Sequence, residues 1–177
     1  MDEPPARRVT ADPADPAAPL EPVAAAAALE SLRVLKARYF RLLDGQRWDE
    51  LAELFTDPAH IDVSGERGDP DGRDPAISPS AFVEGVARAL RGARSAHHGH
   101  MPELALTSST TATGIWAMED RIWWPEGSPV RRLHGWGHYH ERYRRSPDPA
   151  VGVDGWRIES MRLDRLVRLL DDGDGPN

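Results

Sequence analysis

Apolar residues recur at helical spacing in the first part of the chain and at strand spacing in the second. Leu29, Leu32, Leu35, Tyr39 and the pair Leu42/Leu43 mark one face of a helix predicted from Ala24 to Leu43, which Asp44-Gly45 ends. Arg47 to Phe55 reads as a shorter second helix with Trp48, Leu51, Ala52 and Phe55 on one side, stopped by Asp57-Pro58. His60 to Ser64 follows as a short strand, and Glu66 to Pro79 as a loop rich in Gly, Pro and Asp. Ser80 is placed to cap a third helix, to about Leu90, that carries Phe82, Val86 and Leu90.

From His97 onward the period changes to two. Met101–Leu106 and Ala112–Asp120, split by a Ser/Thr-rich turn, read as an antiparallel strand pair. Alternation puts Ala112, Gly114, Trp116, Met118, Asp120 and Ile122 on one face. Between Arg131 and Arg145, Leu133, Gly135, Gly137, Tyr139, Glu141 and Tyr143 oppose His134, Trp136, His138, His140 and Arg142. The second set is polar enough to face water or another subunit. Asp154-Gly155 is a hairpin signal. In the last strand, Trp156 to Val167, the apolar parity shifts from Trp156/Ile158 to Met161/Leu163, which places a bulge near Ser160. Helix, helix, strand, helix and then long strands make an α+β fold: a curved antiparallel sheet with about three helices on its concave face.

Composition adds the boundaries. The length of 177 residues suits a single domain. Residues 1–24 hold six of the sixteen prolines and little apolar surface to offset chain entropy, so they are predicted to be a disordered tail. Residues 171–177 are predicted to be a frayed acidic tail, leaving 25–170 as the domain. The absence of cysteine excludes disulfides and thiolate metal sites. No apolar run approaches the ~20 residues of a membrane span, and no basic start leads into an apolar signal segment. The expectation is a cytoplasmic protein that meets no membrane. A formal net charge of −7 argues against a nucleic-acid partner, with Arg131-Arg132 and Arg142–Arg145 read as a solvated strand edge. The single lysine among many arginines reads only as the bias of a high-GC source.

Candidate chemistry centres on His97-His98-Gly99-His100. Pro102 disturbs the register, so parity leaves His97 and His98 both open. Asp120 is a lone carboxylate on an apolar strand face and must be paired, hydrogen-bonded or proton-shifted. An arginine such as Arg162 would serve as its partner. Asp44 is equally placed to cap the Trp48 helix, and Tyr39 to sit in the core. Trp116, Trp124, Phe55 and Met118 would line a pocket or simply pack. Asp62 and Glu141 are further inward-pointing acids. His98 and His100 share a strand face, but no acid at ligand spacing follows them, so no metal and no other cofactor is expected.

Several short pieces in this order carry a resemblance: Tyr39-Phe40-Arg41-Leu42-Leu43-Asp44, Arg47-Trp48-Asp49, Leu54-Phe55 before Ile61-Asp62, Ala96-His97-His98, and Asp154-Gly155-Trp156-Arg157-Ile158. Over residues 30–168 the chain resembles the nuclear transport factor 2-like superfamily, and within it the SnoaL-like branch that includes scytalone dehydratase and bile-acid 7α-dehydratase. The resemblance implies a cone-shaped α+β barrel whose open end admits a small, mostly apolar substrate. It implies a catalytic aspartate at Asp44 and a catalytic histidine at His97, choosing the latter over His98. Likeness to the bile-acid enzyme adds Tyr39 and Asp120. The scytalone pattern fits less well: its two tyrosines fall on Leu43 and Val63, its second histidine near Ile122 and its asparagine on Tyr139, and two of these losses remove groups that hold that substrate.

The expected function is therefore a cofactor-free lyase or isomerase working by acid–base catalysis on a small polycyclic, aromatic or polyketide-like compound. Tyr139, Trp116, Met118, Phe55, Asp62 and Glu141 are the expected substrate-binding residues. A polyketide-type cyclase using the same pocket is one alternative, and a non-catalytic ligand-binding or assembly domain the other. Relatives of the fold share sheet faces between subunits, so a homodimer or homotrimer is expected.

Overall fold

A computed structural model describes residues 20–63 and 77–171. Among these residues three helices, α1 (Pro22–Asp44), α2 (Trp48–Ala52) and α3 (Pro79–Ala89), accompany six strands. The strands are β1 (Phe55–Asp62), β2 (Arg94–Gly99), β3 (Glu103–Leu106), β4 (Thr111–Trp123), β5 (Arg132–Arg145) and β6 (Trp156–Asp171). They form one curved, unclosed sheet in the order β1-β6-β5-β4-β2, with β3 continuing the edge beside β4.

Several boundaries differ from expectation, each for a local reason. Proline fits the first helical turn, where its missing N–H costs nothing, so α1 starts at Pro22. Leu20 already packs against the core, so the body begins before residue 24. The second helix is shorter than Arg47–Phe55 because the chain turns into β1 at Phe55, whose ring is buried between those of Tyr39 and Phe82. Ser78, not Ser80, caps α3: its hydroxyl accepts the Ala81 N–H at 3.3 Å. The sheet is not wholly antiparallel, since β1 runs parallel to β6 through Ile61↔Met161. That last strand continues to Asp171. The expected tails and the Glu66–Pro79 loop otherwise lie largely outside the described residues.

The parity readings explain the core. Leu133, Tyr139, Glu141 and Tyr143 of β5 and Trp116, Met118, Asp120 and Ile122 of β4 are buried on the helix-covered face. Leu32, Leu35, Tyr39, Phe40 and Leu43 of α1 complete the layer. A register shift between Arg142↔Ser160 and Tyr143↔Ile158 is the bulge expected near Ser160. A second lies between Trp136↔Val167 and Gly137↔Arg165; Arg165 stands before it, opposite Gly137, and shares the inward face of Met161 and Leu163.

Candidate active site

The end of α1 and the start of β2 meet at one carboxylate. Asp44, the last residue of α1, accepts His97 Nδ1 at 2.6 Å, the His97 backbone N–H at 2.9 Å and the Ser95 hydroxyl at 2.8 Å. Burial raises the Asp44 pKa, but the ring, backbone and charge of His97 together with Ser95 outweigh it and hold the carboxyl below its ordinary value. Asp44 therefore does not cap α2, whose N-cap residue is Arg47. An ionised Asp44 can only accept, so Nδ1 of a neutral His97 carries the proton and Nε2 carries the lone pair. The Phe40 ring lies nearly parallel to the imidazole, with 11° between the planes and 6.5 Å between the centroids.

Register then places the second acid. His97 of β2 lies directly opposite Asp120 of β4, so the two side chains share a face, and Nε2 stands 3.8 Å from Asp120 Oδ2. His98 pairs with Glu119 and is exposed. The pairing shifts between Gly99↔Met118 and Glu103↔Ile115, around Pro102, which is why sequence parity counted through the proline could not choose. The cation on Asp120 is Arg165, whose Nη1 and Nη2 reach Oδ1 and Oδ2 at 2.9 and 2.5 Å. Arg162 pairs with Asp164 instead. Gly135 of β5 pairs with Asp120, and a Cβ there would lie 2.5 Å from Asp120 Oδ1 and closer still to Arg165. The glycine is the gap through which the arginine reaches.

These groups border a cavity of about 200 Å³ whose lining includes Tyr39, Tyr139, His97 and Asp120. The rest of its wall is almost wholly apolar: Leu43, Val63, Phe82, Val86, Leu90, Ile122, Trp124, Leu133 and Leu163 among others. Of the expected substrate-binding residues, Tyr139 is on the wall. Phe55, Trp116 and Met118 are buried in the packing rather than on the wall. Asp62 is two-sidedly misplaced by the inward reading: its neighbour Ile61 is the fully buried residue, so Asp62 points to the other sheet face beside His60 and Arg162. Glu141 is inward but sealed. Its Oε1 is 2.5 Å from Lys36 Nζ, both side chains are 0% exposed, and its Oε2 accepts the Tyr143 hydroxyl.

Arg165 and Lys36 were missed. Lys36 carried a signal, being the only lysine and lying on the Leu32–Leu43 apolar stripe one turn before Tyr39. Arg165 carried one as well: two residues beyond Leu163, it falls on the Met161/Leu163 face. Among the described residues no group of three acids, histidines or cysteines is disposed to hold a metal.

The sequence profile of the SnoaL-like domain matches residues 24–162, and the chain belongs to that family. Its fold is that of the nuclear transport factor 2-like superfamily. A protein named as a candidate scytalone dehydratase from Novosphingobium aromaticivorans superposes with a TM-score of 0.70 at 15% identity, over 88% of this chain and 94% of its own. A hexachlorocyclohexane dehydrochlorinase from Novosphingobium barchaimii gives 0.68 at 16%, over 89% and 99%. A Kribbella flavida protein gives 0.66 at 20%, over 79% and 91%. At such identities the likeness is one of fold.

Proposed function

We propose that the chain is a cofactor-free lyase or isomerase that removes a proton beside a carbonyl in a small, largely apolar substrate, with dehydration as the leading reaction. The observation that carries this reading is the Asp44–His97 pair at 2.6 Å, with the other imidazole nitrogen turned toward an apolar-walled cavity. In the step we infer, Nε2 takes the α-proton and the C–H electron pair becomes the new double bond. The C–O bond to the leaving hydroxyl breaks, and that oxygen recovers the proton from Nε2 to leave as water. The transient imidazolium lies between two carboxylates, Asp44 and Asp120, which lowers its cost. Tyr39 and Tyr139, on the cavity wall, supply phenols to polarise the carbonyl or the leaving oxygen.

The same base would serve an aldol-type cyclisation, so the first test reads the shared step. Bicyclic and tricyclic β-hydroxy ketones are incubated with the protein in deuterated water, and exchange or elimination at the α-carbon is followed by NMR. Exchange that vanishes in His97→Ala supports the reading, and product analysis then separates elimination from ring closure. Saturable binding with no exchange for any member of the panel would leave a ligand-binding domain. The outer sheet face, with Trp136, His138 and His140, keeps the expectation of a dimer or trimer; a monomer in sedimentation at micromolar concentration would remove it.

A further inference from the structure

The only lysine and all three tyrosines of the chain meet in one place. Lys36 Nζ stands 3.6 Å from the centroid of the Tyr139 ring, 4.2 Å from that of Tyr39 and 4.9 Å from that of Phe40. On its other side is Glu141, which also accepts the Tyr143 hydroxyl, and that hydroxyl accepts Trp116 Nε1–H at 2.7 Å. The pattern follows from two spacings. Lys36 and Tyr39 are one helical turn apart on α1, and Tyr139, Glu141 and Tyr143 are successive inward positions of β5.

A buried ion pair is a costly way to fill a core, and apolar residues of the same volume would be as stable or more so. Its placement has a consequence that apolar residues could not supply. The positive end of the pair rests on the faces of the two rings that border the substrate cavity. Negative charge on a phenolate spreads into its ring, so a cation at the ring face favours phenolate over phenol and makes the O–H a stronger donor.

We propose that Lys36 is a positioning residue that lowers the proton affinity of the Tyr39 and Tyr139 phenols, while Glu141, Tyr143 and Trp116 hold its ammonium in place. The use of those phenols on a substrate oxygen rests on the acid–base reading above; the tuning itself does not. Other ionisable groups surround the pair: His97 and Asp120 border the same cavity, Arg165 lies on Asp120, and Asp44 is behind His97. Burial lowers the Lys36 pKa and Glu141 opposes that by charge and hydrogen bond, with a net lowering. Burial and Glu141 hold the Tyr143 phenol well above the usual value.

The test uses the full chain with its tyrosines replaced by meta-fluorotyrosine, whose phenol titrates at milder pH, and follows three resonances by fluorine NMR. Tyr→Phe changes, one at a time, assign them. Lys36→Met alone strands a buried carboxylate and is a poor probe. The pair Lys36→Met/Glu141→Gln leaves a neutral couple of similar shape that can still accept from Tyr143. In that variant the Tyr39 and Tyr139 midpoints should rise by about one pH unit, while Tyr143, relieved of the Glu141 charge, falls. A merely structural role gives no such split in sign. Unmoved Tyr39 and Tyr139 midpoints, in a variant with native dispersion, would overturn the proposal. With a turned-over substrate in hand, the double change should lower kcat about tenfold with KM little altered. Midpoints that move as stated while no ketone is ever turned over would uphold the tuning and sink the acid–base reading instead.

Discussion

Two carboxylates are buried on neighbouring strands, Asp120 on β4 and Glu141 on β5, and each is bound by a cation from a distant element: Arg165 of β6 for one, Lys36 of α1 for the other. Charge and burial hardly distinguish them. Access does. Asp120 has a histidine beside it and the cavity beyond, whereas Glu141 is closed off by Tyr143 and by the layer of rings around the lysine. A buried ion pair is thus no mark of chemistry by itself; the mark is a titratable group standing between the pair and a space that a substrate can enter.

The largest expected effect tests the open cluster. His97→Ala and Asp44→Asn should each lower turnover by two to four orders of magnitude, roughly, and the double change should be little worse than the poorer single one. Additive losses would mean that the two residues act separately. Next comes stability, measured by urea unfolding. Lys36→Met should cost about 3–5 kcal/mol, because Glu141 is left charged and sealed. Arg165→Met should cost clearly less, since Asp120 keeps His97 nearby and can meet water from the cavity. Equal costs would erase the distinction between open and closed clusters.

The smallest effect is one of pH. Asp44 is held below its ordinary value in the folded chain. Its contribution to stability is therefore fully present above the unfolded value of about 3.9 and is lost as pH falls through the lower, folded one. The stability gap between wild type and Asp44→Asn should be constant near neutrality and narrow from about pH 4 downward. A gap that narrows instead on going from pH 6 to pH 8, approximately, would assign the interaction to a titrating His97 rather than to Asp44.

Much of the fold was legible because its signals are periodic. The Leu29–Leu43 stripe, the alternation through Ala112–Ile122 and Leu133–Tyr143, and the parity break near Ser160 each correspond to an element or a bulge. What failed was decided elsewhere in the chain. Phe55 reads as helix by spacing but is drawn into β1 by ring packing, and Asp62 reads as inward until β1 is paired with β6. Asp44 and His97 were placed by resemblance, and the structure brings them together; that they work as a dyad is the proposal. Arg165 shares the Met161/Leu163 parity, but a cation on that face has no evident use until the fold brings Asp120 beside it.

The partners in the buried polar pairs lie far apart along the chain: Asp44 and His97 are 53 positions apart, Asp120 and Arg165 are 45, and Lys36 and Glu141 are 105. β1 also has no sheet partner until β6 exists. Such distant pairing makes for slow folding, in the range of milliseconds to seconds for sheets of this kind. During synthesis, at roughly 5–20 residues per second, the helices and β1 leave the ribosome long before their partners. For the last stretch of that interval Asp120 and Glu141 are carboxylates on apolar strands, the one still lacking its arginine and both lacking a finished layer. They oppose premature burial of the very faces that later close. An ionised acid is costly to bury before its partner is in place, so these two disfavour closure of a half-made sheet that still lacks β6.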